Sequence, residues 1–119
     1  MEVVGDSAMV LYYSQEALLQ VNILRHEGAS CMNGFIARAG KLTLTGNALN
    51  FVFRNEKLGS IEIDLREIDQ VDFFKSLSII PNGLTLFLYN GDVQHFVVDD
   101  RIAWKSAINE AKERYSKDA

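Results

Sequence analysis

The sequence predicts a mainly β domain with about seven strands in two curved sheets that close toward a barrel, capped by a C-terminal helix. Three observations predict this fold. Apolar and polar side chains alternate along most of the chain from about residue 18 onward, which is typical of strands with one buried face. Short segments containing Gly, Asn or Pro interrupt the alternation. After Asp100 the period lengthens to that of an amphipathic helix, which would cover one open end of the sheets.

The composition sets limits on the class of protein. The chain has 119 residues, 48% hydrophobic and 24% charged, which suits a single domain with one core. We divide it into an N-terminal extension, residues 1–16, which is either helix or strand, and a domain of residues 17–119. There are 12 basic and 16 acidic residues, and this net charge of −4 argues against a general nucleic-acid binder.

Cysteine usage and hydropathy predict the compartment. Cys31 is the single cysteine, so no disulfide can form within the chain. The apolar run Met9–Tyr13 is far shorter than the roughly 20 residues that span a bilayer. No basic leader precedes an apolar stretch. We therefore expect a cytoplasmic protein in which Cys31 has a structural place.

The first strands follow from period-2 patterns. Residues 21–25 alternate as a first strand that would end near Glu27 and Gly28, and the small and polar residues 28–34 predict a loop. Residues 42–45 alternate Leu with Thr, and residues 49–53 place Leu, Phe and Phe at every second position. Thr45-Gly46-Asn47 supplies turn residues between them, which predicts a hairpin with one buried face.

The later strands carry the same signal. Residues 61–65 alternate Ile and Leu with acidic residues, so the acidic run from Glu62 to Asp72 is expected on a solvated strand face. A tight corner at residues 65–67 then leads into a strand from Ile68 to Leu77. Pro81-Asn82-Gly83 predicts a turn, because Pro fixes φ and Gly tolerates a closing conformation.

The strongest hairpin signal is Asn90-Gly91, between strands at residues 84–89 and 93–98. Both faces of this hairpin carry apolar side chains, so the sequence does not decide which face is exposed. Adjacent Phe residues at 73 and 74 must point to opposite sides of their strand. The candidates for a partner surface or homodimer seam are Phe73, Phe74, Phe87 and Tyr89. The alternative is that the N-terminal segment covers these aromatic residues.

One terminal helix completes the domain. Asp99 or Asp100 would cap it by accepting hydrogen bonds from its first amide groups. An apolar stripe at helical spacing would face the sheets, with Trp104 as its largest contact; the stripe comprises Trp104, Ile108, Ala111 and Tyr115.

Three blocks of the sequence resemble GRAM domains. The stretch Gly40–Phe51 is similar to the family's G-[KR]-L-x-L-T…L-x-F signature, and Ile63–Val71 resembles its I-x-L-x-x-I-x-x-V block. Phe96 and Arg101–Trp104 are similar to its closing F…R-x-x-W. The resemblance covers roughly residues 17–115. It implies a pleckstrin-homology-like (PH-like) fold, a seven-stranded two-sheet barrel with a C-terminal helix, as in small stand-alone bacterial members.

The resemblance also implies two kinds of ligand, lipid headgroups or protein partners. In PH-like domains that bind lipid, the pocket uses the loop between the first two strands. Residues 28–34 contain no Lys or Arg, but residues 18–57 carry five basic and two acidic side chains, a net charge of +3. The lipid-binding candidates are these five basic residues: Arg25, Arg38, Lys41, Arg54 and Lys57.

No sequence motif points to catalysis. The chain lacks the nucleophile-elbow, phosphate-loop and dinucleotide-binding patterns, and its two His residues have no metal-ligand spacing. Asp92, Asp99 and Asp100 fall at a predicted turn and helix start, where Asp has structural roles. We therefore predict no enzyme activity, no metal site and no cofactor.

These observations predict a non-enzymatic intracellular binding module. Apolar residues on both faces of the strands between residues 73 and 89 favour binding of a protein partner or self-association. The alternative is peripheral membrane binding to anionic lipid or phosphoinositide headgroups through the five basic residues.

Overall fold

The computed structural model describes residues 23–118, so the predicted extension of residues 1–16 lies outside the described part of the chain. This part contains seven antiparallel strands and a helix. The strands are β1 (Arg25–Asn33), β2 (Ile36–Leu44), β3 (Ala48–Phe53), β4 (Ser60–Asp64), β5 (Ile68–Ser76), β6 (Ile80–Leu88) and β7 (Val93–Val97), and the helix is α1 (Arg101–Asp118).

The strands form one continuous sheet in the order β4-β3-β2-β1-β7-β6-β5. Its two halves join through a short contact, because β1 pairs with β7 only over Ser30–Met32. The sheet curls into a half-barrel with β4 and β5 as its edges. The predicted class, a seven-stranded barrel-like β fold with a C-terminal helix, is confirmed.

The core fills the concave side of this sheet. The ring centroids of Phe51 on β3 and Phe96 on β7 lie 5.3 Å apart, so the two halves of the half-barrel meet through aromatic contact. The largest fully buried side chains are Trp104, Phe51, Phe96, Leu42, Leu44, Leu49, Leu65, Ile68, Leu84, Leu86 and Ile108. Burying such side chains is the main source of stability in a domain of this size.

Helix α1 closes the curl. The Asp100 side chain accepts a hydrogen bond from the Ala103 N–H at 3.0 Å, so Asp100, one of the two predicted candidates, is the N-cap. Trp104, Ile108 and Ala111 are buried, and Tyr115 is partly buried, which confirms the predicted apolar stripe.

The predicted corner between β4 and β5 is a single 3-10 turn, Leu65–Glu67, in which Leu65 is buried. The Asp64 side chain accepts from the Arg66 N–H at 2.8 Å, while the Glu67 carboxylate accepts from the Asp64 N–H at 3.0 Å. This reciprocal capping box fixes the direction change between the two strands.

Two predicted connections are wrong. The first strand does not end near Glu27 and Gly28, since β1 continues through the predicted loop to Asn33 and pairs with β2 over its full length. Small and polar residues there carry no strand signal of their own, but β2 and β7 supply backbone partners on either side. The actual turn is Gly34–Phe35. Gly34 has a φ of 65°, and a positive φ is required of the first residue in a two-residue hairpin turn.

The predicted turn at Pro81-Asn82-Gly83 is strand as well. All three residues lie in β6, and Gly83 pairs with Phe74 on one side and Val97 on the other. The chain reverses earlier, at residues 77–79. The Pro and Gly that favour a turn in the sequence have other roles here, because Pro81 lies near the start of its strand and Gly83 makes room for a ring.

Candidate functional site

An open cleft of about 580 Å³ lies at the end of β1 that is far from Trp104. Its described lining comes from five strands, the β1–β2 turn and the β3–β4 connection: Cys31, Met32, Asn33, Gly34, Arg38, Phe53, Leu58, Ile61, Val93, Gln94 and His95. Among these residues Arg38 is the only Lys or Arg. Arg38 pairs in register with Cys31, so its side chain points to the concave side of the sheet, at the open end of the half-barrel.

Two smaller recesses lie beside β2 and β3. Arg38, Arg54 and Leu58 line one of about 330 Å³, while Lys41 and Arg54 line one of about 220 Å³. Lys57 lies next to Leu58 in the β3–β4 connection. We call these four exposed cations, Arg38, Lys41, Arg54 and Lys57, the cationic face.

The structure separates Arg25 from the other predicted lipid-binding residues. Arg25 lies at the opposite end of β1, six residues before Cys31, which is about 20 Å along a strand. Its guanidinium lies 5.2 Å from the centre of the Trp104 ring, and its Nη2 is 3.4 Å from a carboxylate oxygen of Glu27. Arg25 therefore packs against the helix side of the core rather than on the cationic face.

The cationic face has little opposing charge. No Asp or Glu occurs between Gly28 and Asn55, the stretch that supplies β2, β3 and three of the four cations. Among residues 23–118 the ion pairs are Arg25 with Glu27 and Arg66 with Asp64, so the four cations of this face pair with no described carboxylate. Glu56, beside Lys57, is the nearest acidic residue in sequence.

The four aromatic candidates do not form one cluster. Phe73 pairs with buried Leu84 and lies under the start of α1, with the guanidinium of Arg101 at 4.4 Å and the ammonium of Lys105 at 4.9 Å from its ring centre. Phe74 points to the convex side, where it meets the edge of the His95 ring at 5.2 Å.

The hairpin β6–β7 presents the other two candidates to solvent. Leu84 and Leu86 are buried on the concave side, which settles the face that the sequence left open. Phe87 lies on the convex side and pairs with Val93; both are partly exposed, and Tyr89 at the turn is 71% exposed. These three residues form a small convex apolar surface beside the turn.

Two other hairpin turns carry exposed apolar residues that the sequence reasoning did not single out. Phe35 is 101% exposed at the β1–β2 turn, where Ile36 is also exposed. Leu77 and Ile79 are each 75% exposed at the β5–β6 turn. We call Phe35, Ile36, Leu77 and Ile79 the apolar tips. The signal that could have found them is the lack of any acidic residue in the two hairpins, residues 28–55 and 73–91.

Two titratable side chains that line the cleft are Cys31 and His95. Burial raises the pKa of the Cys31 thiol, which keeps it in the unreactive protonated form. The Nδ1 of His95 lies 3.0 Å from the Thr85 hydroxyl on the convex face. Within residues 23–118, no three His, Cys, Asp or Glu side chains come together as metal ligands.

Solved structures of similar fold are PH domains or resemble them. The C-terminal domain of an unknown protein from Leishmania infantum matches with a TM-score of 0.70 and 19% identity, over 87% of this chain and 95% of that one. The Vps36 N-terminal PH domain matches with a TM-score of 0.66 and 14% identity, over 82% of this chain and 83% of that one.

The Slm1 PH domain is a third structural relative. Its complex with phosphoserine gives a TM-score of 0.57 and 17% identity, over 79% of this chain and 96% of that one. Its complex with inositol-4-phosphate gives a TM-score of 0.55 and 16% identity, over 76% of this chain and 94% of that one. These likenesses show a PH-like fold.

Sequence comparison adds no family to this result. No protein-family model matches the chain, and no curated protein matches it. The resemblance to GRAM domains therefore stays a prediction. The one helix of the described residues is not long and apolar enough to cross a membrane.

Proposed function

We propose that this chain is a non-enzymatic binding module that binds anionic, phosphate-bearing surfaces through the cationic face. The observation that carries this proposal is that Arg38, Arg54 and Lys41 line neighbouring recesses, with Lys57 next to Leu58 of the same recesses, in a stretch without carboxylates up to Asn55. Phosphate oxygens are bound best by several guanidinium and ammonium groups acting together. One structural relative, the Slm1 PH domain, was solved with inositol-4-phosphate.

The arrangement favours recognition by charge rather than a closed pocket for one ligand. The three recesses are open and share lining residues: Arg38 and Leu58 line two of them, and Arg54 lines the third together with one of these. Each basic residue near an anionic membrane contributes about 1 kcal/mol of attraction at moderate ionic strength. Four such residues can hold a small domain at a surface even though the whole chain has a net charge of −4.

Vesicle sedimentation tests the proposal. We expect the protein to be captured by phosphatidylcholine vesicles that contain phosphatidylserine, but not by phosphatidylcholine alone, and to be released by added NaCl because salt screens exposed charges. Arg38→Glu or Arg54→Glu should weaken capture by roughly thirtyfold, since each replaces an attraction of about 1 kcal/mol with a repulsion of similar size.

Arg114→Glu is the matched control, because it changes the net charge by the same amount on an exposed position of α1. It should reduce capture much less than either variant of the cationic face. Equal losses for all three variants would mean that only net charge matters. No capture of the wild-type protein at low salt would contradict the proposal.

A second candidate function is binding to a protein partner or to another copy of the chain. The observation in its favour is the convex apolar surface of Phe87, Val93 and Tyr89. If this surface is an interface, Phe87→Ser with Tyr89→Ser should abolish a dimer seen by sedimentation equilibrium. A wild-type protein that stays monomeric at high concentration would contradict self-association.

A further inference from the structure

We infer that the apolar tips enter the hydrocarbon of the membrane to which the cationic face binds. The inference rests on the proposed function and names its partner: a bilayer containing anionic lipid, rather than a soluble phosphate compound. Its starting point is the exposure of the tips, at 101% for Phe35 and 75% for both Leu77 and Ile79. Large apolar side chains that protrude together from turns mark a surface meant for an apolar partner.

The two turns belong to one surface. Residues of both line a groove of about 410 Å³, which contains Phe35 and Leu77 at its sides together with Met32 and Phe74. Met32 and Gly34 also line the cleft that contains Arg38. The β1–β2 turn therefore lies between the groove and the cationic face, so that apolar and basic groups share one boundary.

The charge around the tips fits an anionic bilayer. The hairpins that carry them, residues 28–55 and 73–91, contain no Asp or Glu although the chain has 16 acidic residues. Lys75 lines the groove two residues before Leu77, and Arg38 follows Ile36 on the other hairpin. Apolar residues that enter the interface, flanked by cations that meet lipid phosphates, are the pattern of interfacial membrane binding.

The backbone of the β5–β6 turn adds an independent observation. Leu77 and Ser78 have φ of 52° and 64°, in the left-handed region that favours Gly or Asn. The turn is closed by hydrogen bonds from the Ser78 N–H to the Lys75 carbonyl at 3.2 Å and from the Ile79 N–H to the Ser76 carbonyl at 3.1 Å. A large apolar residue at such a position lowers stability without any packing in return, which points to a use outside the fold.

Fluorescence with acyl-chain quenchers tests the insertion directly. We would place a reporter with Phe35→Trp and mix the protein with phosphatidylcholine–phosphatidylserine vesicles carrying lipids brominated on their acyl chains. We expect a blue-shifted, quenched emission from this position. The native Trp104 is fully buried and supplies a constant background, recorded with the unmodified protein. Ser116→Trp, an exposed position on α1, should show neither change.

Two variants remove the tips without disturbing the core. Phe35→Ser and Leu77→Asn should each lower vesicle partitioning at low salt about tenfold, the loss expected for one large apolar side chain. Ile102→Ser is the matched control, because Ile102 is 70% exposed, almost as much as Leu77, but lies on α1. It should leave partitioning within a factor of about two.

The outcomes separate the two proposals. Capture by anionic vesicles with no quenching of Phe35→Trp, and with unchanged partitioning of Phe35→Ser and Leu77→Asn, would overturn insertion and leave binding by the cationic face intact. Binding of soluble inositol phosphate without any vesicle capture would also overturn insertion. Complete absence of capture at low salt would overturn both proposals.

Discussion

The ring of Phe74 lies directly over Gly83 of the neighbouring strand, where a Cβ atom would overlap the ring. This contact joins β5 to β6 on the convex side of the sheet. It explains a glycine inside a central strand, a position where glycine otherwise weakens the fold.

The first prediction concerns this contact. Gly83→Ala should lower the free energy of unfolding by about 1–3 kcal/mol, because the added methyl group must displace a packed ring. In a Phe74→Ala background the same substitution should cost nothing or should stabilise, since the obstacle is gone. Urea unfolding followed by circular dichroism measures both steps. The same loss in both backgrounds would show that Phe74 is not the cause.

The second prediction concerns the strained turn at the tip of β5–β6. Leu77→Asn should raise the free energy of unfolding by about 1 kcal/mol, because Asn tolerates the left-handed conformation that Leu77 holds at φ 52°. Leu77→Ala is the control, since Ala removes the same exposed side chain but keeps the backbone penalty. Calorimetry should show a higher melting temperature for Leu77→Asn only. Equal changes in melting temperature for Leu77→Asn and Leu77→Ala would show that the backbone at Leu77 is not strained.

The third prediction concerns the capping box between β4 and β5. Asp64→Ala should cost about 1 kcal/mol of stability, as the loss of a capping side chain usually does. Hydrogen bonding to Arg66 lowers the pKa of the Asp64 carboxyl in the folded state. The ion contact therefore stabilises the fold above the unfolded pKa of about 3.9 and is lost as the pH falls through the lower folded value.

The Asp64→Asn variant isolates the charge, because Asn still accepts the backbone hydrogen bond. Its stability deficit relative to wild type should be small, since both partners are exposed; it should begin to shrink below about pH 4 and vanish only below the lowered pKa of the folded Asp64 carboxyl. Urea unfolding across acid pH measures it. A deficit that persists at the lowest pH would assign the effect to shape rather than charge.

The fourth prediction concerns Cys31. Since burial raises the pKa of its thiol, alkylation of the folded protein at pH 8 should be at least about tenfold slower than in urea. Asn33→Cys in a Cys31→Ala background gives the exposed comparison on the same strand. Equal labelling rates of the two thiols in the folded state would show that the cleft admits reagent to Cys31.

The sequence predicted the parts of the fold that depend on local pattern. The alternation in β2, β3 and β4, the Asn90-Gly91 hairpin and the stripe of α1 around Trp104 are all present. The end of β1 was missed because its residues 28–33 become strand through pairing with β2 and β7, which no local pattern records. Gly83 was mistaken for a turn residue because glycine occurs both in turns and at positions where a neighbouring side chain leaves no space for a Cβ atom, as the Phe74 ring does here.

The candidate site was predictable in its charges but not in its apolar part. Arg38 and Arg54 lie close together at the open end of the β2–β3 hairpin, where the Arg54 N–H donates to the Ala39 carbonyl at 2.9 Å. Lys57 follows in the β3–β4 connection, and Lys41 lies further along β2. Arg25 is also in the basic N-terminal half of the sequence, but it lies at the start of β1, far from Arg38, which pairs with Cys31 near the end of that strand. Leu77 carries no turn signal at all, because its left-handed conformation is one that sequence statistics do not expect of Leu.

The β5–β6 turn also has a consequence for the entropy of adsorption. Two backbone hydrogen bonds close it, and the Ser76 hydroxyl donates to the Asn82 side-chain oxygen at 2.6 Å just below. A glycine-rich loop would lose about 1–2 kcal/mol for each residue that becomes ordered on contact. Leu77 and Ile79 are already held in place, so nearly all of their transfer free energy remains available for affinity.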